Sequence, residues 1–137
     1  MDDDVIRARL GLTAFVRRDR KARISALLQL TETKRRLVQL VVEALDPRYS
    51  LRLDERSADL QSLVREVECG RRSDKVVATI FHDFEPKIQR MSLAPSIDYF
   101  LNARGEDIIV EILDGILALA RHHEDWTTFY IIDLRQR

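Results

Sequence analysis

Chain breakers are scarce in this sequence. Its 137 residues include four glycines and three prolines, and most of them fall where an apolar periodicity ends, so punctuation and pattern mark out the same segments. A proline inside a helix removes a hydrogen bond and clashes with the preceding turn, whereas prolines kept to segment ends leave the segments free to be helical. The pattern predicts an all-α fold. It is a compact single-domain bundle of about six or seven helices over residues 1–137, packed around one central hydrophobic helix.

The segments follow from residue spacing. Asp4 is placed to cap a first helix in which Val5, Ala8, Leu12, Phe15 and Val16 share one face, with Gly11 weakening it slightly. Asp19 is placed to cap a second helix carrying Ile24, Leu27 and Leu28. A heptad run from Ile24 to Leu45 fails at Thr31 and Arg35, which places a break near Thr31–Thr33. Residues 37–45 are then apolar around most of the helix circumference, and Asp46-Pro47 ends that helix. Tyr49, Leu51 and Leu53 alternate over a short extended stretch packed on the core. A helix from Ser57 to Gly70 presents Leu60, Leu63, Val64 and Val67, and a helix capped by Ser73 presents Val76, Val77, Ile80, Phe81 and Phe84 before Pro86. Residues 87–91 continue it or add a turn. Pro95 opens a further helix with Ile97, Tyr99, Phe100 and Leu101, which Gly105 stops.

Residues 106–123 are the most apolar segment, with Ile108, Ile109, Val110, Ile112, Leu113, Ile116, Leu117 and Leu119, and this is the expected central helix. From Trp126 to Leu134 two patterns compete. Thr, Phe, Tyr and Ile favour a strand, while Trp126, Phe129, Tyr130 and Leu134 share a helical face. Helix is expected, because a lone strand would have no partner.

The formal net charge is zero, but the charges are unevenly placed. Residues 5–36 hold ten bases against Asp19 and Glu32, a balance of +8, and the acids prevail elsewhere. Arg17, Arg18, Arg20, Lys21, Arg23, Lys34, Arg35 and Arg36 are the candidate nucleic-acid contacts of this basic N-terminal segment, which packs on the bundle or extends from it. Clustered cations attract a phosphate backbone through counterion release. Phe15 is the only aromatic before Tyr49, so base stacking on single strands is disfavoured and duplex RNA or DNA backbone recognition is the form this reading takes. The competing account is that these bases pair with the acidic remainder of the chain, or serve an anionic membrane surface.

No catalytic motif is present: neither a Gly-rich phosphate loop, nor a nucleophile elbow, nor H-E-x-x-H, nor paired cysteines. The chain is therefore expected not to be an enzyme and to carry no cofactor or metal. Cys69 is the single cysteine, which excludes an intrachain disulfide. His122-His123-Glu124-Asp125 and His82-Asp83-Phe84-Glu85 hold metal-capable groups, but adjacent histidines on a helix diverge by about 100°, so they are taken as solvated helix-end polars. Glu111 and Asp114 interrupt the central segment at i, i+3 and would mark its exposed edge. Were they buried, arginine partners would be required.

The expected function is that of a non-enzymatic, helical protein–protein interaction or regulatory module, forming a homodimer or other homo-oligomer or gripping a partner helix. Residues 37–45 and 108–120 motivate it, being too apolar all round for a simple bundle. The alternative is a nucleic-acid binding protein using the basic segment. No integral membrane segment is expected, since no apolar run nears the roughly 18 residues a spanning helix needs. The opening MDDDVIRARL lacks the basic-then-apolar layout of a secretory signal, so a cytoplasmic or nuclear location is expected.

Overall fold

A computed structural model describes residues 3–30, 36–54, 76–83, 88–102, 107–112, 116–123 and 126–135. The chain opens with α1 (Asp3–Gly11) and two 3₁₀ turns (Leu12–Phe15 and Arg18–Arg20), followed by α2 (Lys21–Leu28) and α3 (Leu37–Glu43). Six strands follow: β1 (Ser50–Asp54), β2 (Val77–His82), β3 (Gln89–Ser92), β4 (Ile108–Ile112), β5 (Leu117–His123) and β6 (Thr127–Asp133), with α4 (Leu93–Asn102) between β3 and β4. The strands form one sheet in the order β1-β6-β5-β4-β2-β3, and every neighbouring pair is antiparallel. No helix among the described residues is long and apolar enough to cross a membrane.

This architecture overturns the all-α helical bundle. The expected central helix at 106–123 is a hairpin of β4 and β5, the two strands at the middle of the sheet. Helices cover both sheet faces, so neighbouring residues on one strand enter different cores. Ile109, Ala118 and Ala120 join the core under α1, α2 and α3, while Ile108, Val110, Ile112, Leu117 and Leu119 join the core under α4. Period-2 alternation disappears when both faces are apolar, and a run of that kind cannot be told from a buried helix by periodicity alone. The discriminating signal was local: Ile112 pairs with Leu117, and the sequence between them contains Asp114-Gly115, the dipeptide most typical of hairpin connections.

Two further helices are corrected by the same argument. Residues 77–82 are β2, with Ala78 and Ile80 on the α4 side and Phe81 on the other. Residues 127–133 are β6, hydrogen-bonded between β5 and β1. The objection that a lone strand lacks a partner failed because the misread central segment was itself the partner. The alternating stretch at Tyr49–Leu53 became β1 on the sheet edge, and residues 89–92 became β3.

The N-terminal helices keep more of what the spacing predicted. α1 ends at Gly11 and the apolar face runs on into a 3₁₀ turn, burying Leu12 and Phe15. α2 stops at Leu28 and α3 starts at Leu37, a separation matching the failed heptad. α3 ends before Asp46-Pro47, and its closing turn is tied to the 3₁₀ segment by a Val16–Leu45 bridge, with Arg17 N donating to Ala44 O (2.8 Å) and Asp46 N to Phe15 O (3.0 Å). Ala118 and Ala120 present small side chains where α3 packs on β5. Pro95 lies in the first turn of α4, where its missing N–H costs nothing. On that face Phe100 is fully buried, its ring edge-on to Phe129 at 5.8 Å. Burial of this kind contributes about 1.5–3 kcal/mol per large side chain. The helix expected at Ser57–Gly70, including Cys69, lies outside the described residues.

Candidate functional site

The sheet face under α1, α2 and α3 is organised in rows across the strands. Registers align Phe81, Ile109, Ala120 and Tyr130 in a middle row beneath the helices. To one side runs Arg90, Thr79, Glu111 and Ala118. To the other, one step further along the same registers, stand Asp83, Asp107 and His122, with Thr128 opposite His122. Side chains two apart on a strand share a face, so the apolar middle row is flanked by a polar row at each end of the sheet.

The Arg90 row forms the floor of an open cleft of about 520 Å³ between α1 and the sheet. Asp4, Arg7, Thr13, Lys21, Thr79, Arg90 and Glu111 supply its polar lining. Asp4 does not cap α1 from outside but sits in its first turn. From there it crosses the cleft to Arg90, with Nη1 donating to Oδ2 at 2.9 Å and Nη2 to Oδ1 at 3.1 Å. That hydrogen bonding with Arg90 holds the Asp4 carboxyl below its usual range. Glu111, expected on an exposed helix edge, is half-buried and faces this cleft. Asp114 lies outside the described residues.

Beside the cleft stands the basic segment. Arg18 and Arg20 lie on the second 3₁₀ turn and Lys21 and Arg23 on the first turn of α2, all four exposed. Arg17 is half-buried and reaches Asp19 at 3.8 Å. Among the described residues the side chains of Arg18, Arg20, Lys21 and Arg23 make no ion pair. Arg36 belongs to the other end of the sheet, where its charge acts on Asp83. Lys34 and Arg35 lie outside the described residues.

The Asp83 row is a hydrogen-bonded chain under the start of α3. Asp83 Oδ1 accepts from the Val38 N–H at 2.7 Å, satisfying one of the helix's orphan donors from a distant strand. Asp107 Oδ2 lies 2.8 Å from His122 Nδ1, with the two side chains only 5% and 8% exposed, and Asp107 Oδ1 accepts from the His123 N–H at 2.8 Å. His123 Nδ1 is 3.0 Å from Thr127 Oγ1. The histidines are thus strand-end residues, and His122 is buried rather than solvated. Asp83 Oδ2 is buried and accepts from no donor among the described residues. Its neighbour is the Asp107 carboxylate, which can hydrogen-bond it only if one of the two carries a proton. Burial is the main influence on Asp83 and, with the charge and hydrogen bonding of Asp107, outweighs the Val38 N–H and Arg36, pushing its pKa from 3.8 up to about 6. Among the described residues no group of three His, Cys, Asp or Glu side chains is arranged to hold a metal ion.

Nothing in the spacing of Asp83, Asp107 and His122 announced this row, because only the strand registers bring them together. The basic ridge, in contrast, was visible as a run of like charge. The fold defines a class, an antiparallel sheet with helices on both faces, a basic ridge and an adjoining cleft. Comparison with protein-family models, with curated proteins and with solved structures gives no match to this chain.

Proposed function

We propose that this chain is a non-enzymatic binding module that holds the phosphate backbone of duplex nucleic acid on the ridge from Arg18 to Arg23. The observation that carries the reading is that Arg18, Arg20, Lys21 and Arg23 are exposed and, among the described residues, unpaired with any carboxylate. The backbone that carries these cations is already helical before a ligand arrives, and a polyanion meeting them releases its condensed counterions, which drives binding. No aromatic side chain accompanies them between Arg17 and Leu28, so contacts to the backbone are favoured over stacked bases. Arg7 and Arg90 line the adjoining cleft, where the carboxylates of Asp4 and Glu111 offset their charge.

Fluorescence anisotropy with a labelled DNA or RNA duplex tests this. The parent binds at about 50 mM salt and loses affinity steeply as salt rises, while a variant with Arg18, Arg20 and Arg23 changed to Glu binds far more weakly at the same salt. Unchanged affinity in that variant, or none in the parent at low salt, refutes the reading.

A second reading, self-association, has one observation of its own. The described apolar residues of the segments 37–45 and 108–120 that first suggested it are covered within the chain apart from Ile116, but among the described strands β1 lies at an edge, and its Leu51 is 47% exposed. Edge strands offer unpaired backbone groups to another chain. Molar mass by light scattering, with Leu51→Lys as the comparison, tests it: a dimer that the substitution dissociates supports it, and a monomeric parent rejects it.

A further inference from the structure

The cleft beside the ridge has a composition that backbone binding does not use. We propose that it is a site for a phosphate monoester, and that Asp4 occupies the anion's place until the phosphate displaces it. This deepens the reading above, and only the strand-end part of its test rests on that reading.

Asp4 and Arg90 meet through two parallel hydrogen bonds, at 2.9 Å and 3.1 Å. A guanidinium offers the same fork to carboxylate and to phosphate, so the internal carboxylate stands where two phosphate oxygens would. Arg7 and Lys21 line the same space. Three cations there face two carboxylates, Asp4 and Glu111, a balance of +1, and with Asp4 turned away three face one, a balance of +2. That matches the charge of about −1.5 to −2 on a phosphate monoester at neutral pH. Thr79, between Glu111 and Arg90 on the cleft floor, adds a hydroxyl donor. The cleft volume of about 520 Å³ accommodates the phosphate together with the group that bears it. Exchange of Asp4 is easy because the pair is open to solvent, its side chains 46% and 55% exposed, and exposed pairs hold their geometry weakly.

The phosphate has two possible sources, the end of a nucleic-acid strand or a free phosphorylated compound. Two probes separate them: a short DNA duplex with 5′-phosphate or 5′-hydroxyl ends, followed by anisotropy, and glycerol phosphate, followed by calorimetry. Parent, Asp4→Asn and Arg90→Gln proteins are compared. A strand-end source gives about fivefold or greater preference for the phosphorylated duplex, and a free source gives glycerol phosphate binding without duplex preference. In either case Asp4→Asn strengthens the phosphate response severalfold and Arg90→Gln removes it. The proposal is overturned if neither probe responds to phosphate, or if Asp4→Asn binds it no better than the parent. Failure of the ridge reading shows separately, as loss of 5′-hydroxyl duplex binding with the glycerol phosphate result unaffected.

Discussion

Asp83→Asn should make the protein more stable at pH 8 while leaving it nearly unchanged in acid. The Asp83 carboxyl is held at about 6 in the folded chain against an ordinary 3.8, chiefly by burial and next by its neighbour Asp107. A raised carboxyl binds its proton more tightly when folded, so its contribution to stability is complete below 3.8 and is lost as pH rises through about 6. At about 1.36 kcal/mol per tenfold change in proton affinity, that rise corresponds to about 3 kcal/mol for a fully buried group. Solvent still reaches Asp83, and screening reduces the expected loss to roughly 1–2 kcal/mol. Asparagine mimics the protonated acid. Its carbonyl still accepts from Val38 N–H, which Asp83 Oδ1 now does at 2.7 Å, and its amide can donate towards Asp107. Urea denaturation of both proteins at pH 4.5 and pH 8 measures the difference, and the comparison cancels the titrating groups that do not face Asp83. The expected result is a gain of roughly 1–2 kcal/mol for the variant at pH 8 that shrinks by more than half at pH 4.5. Equal stabilities at both pH values, or a variant weaker at pH 8, would refute the burial argument.

Three further outcomes follow from packing and polar satisfaction. Asp83→Ala loses the acceptor for the Val38 N–H and should cost about 0.5–2 kcal/mol relative to Asp83→Asn, as for a lost helix cap; urea midpoints decide it, and equal midpoints would mean that Val38 is satisfied without Asp83. Phe100→Ala removes a fully buried ring set against Phe129 and should lower stability by about 3–5 kcal/mol, read as a large drop in thermal midpoint. A small drop would place Phe100 at the surface. Ala120→Leu pushes three more carbons into the seam between β5 and α3 and should cost about 1–3 kcal/mol through overpacking; a neutral or stabilising result would mean that α3 does not lie against that strand.

The limits of reading this fold from sequence have physical causes. Leu12, Phe15, Ile24 and Leu28 were legible as core because a helix on one face of a sheet keeps its 3.6-residue stripe. Ile108, Val110 and Leu119 were legible as buried but not as strand, because a second apolar core on the other side removed the polar half of the alternation. That one misreading spread, since β6 seemed to lack a partner only while β5 was taken for helix. Asp114-Gly115 was the missed local cue. At the functional end, the Arg18–Arg23 ridge was plain in the charge pattern, as exposed cations need no tertiary information. Glu111 stands out in the sequence as a carboxylate in an apolar run, but the residues that line the cleft with it come from other elements, α1 and β3 among them. Asp83, Asp107 and His122 could not have been grouped without the β2–β4–β5 registers.

The most direct test of the ridge is the salt dependence of duplex binding in the parent and in the variant with Arg18, Arg20 and Arg23 changed to Glu. If Arg18, Arg20, Lys21 and Arg23 each neutralise one phosphate, log K falls against log salt with a slope of about −3.6 in the parent and shallower than about −1 in the variant. The same slope in both proteins would contradict the account, because the charge driving any binding would then lie elsewhere on the chain.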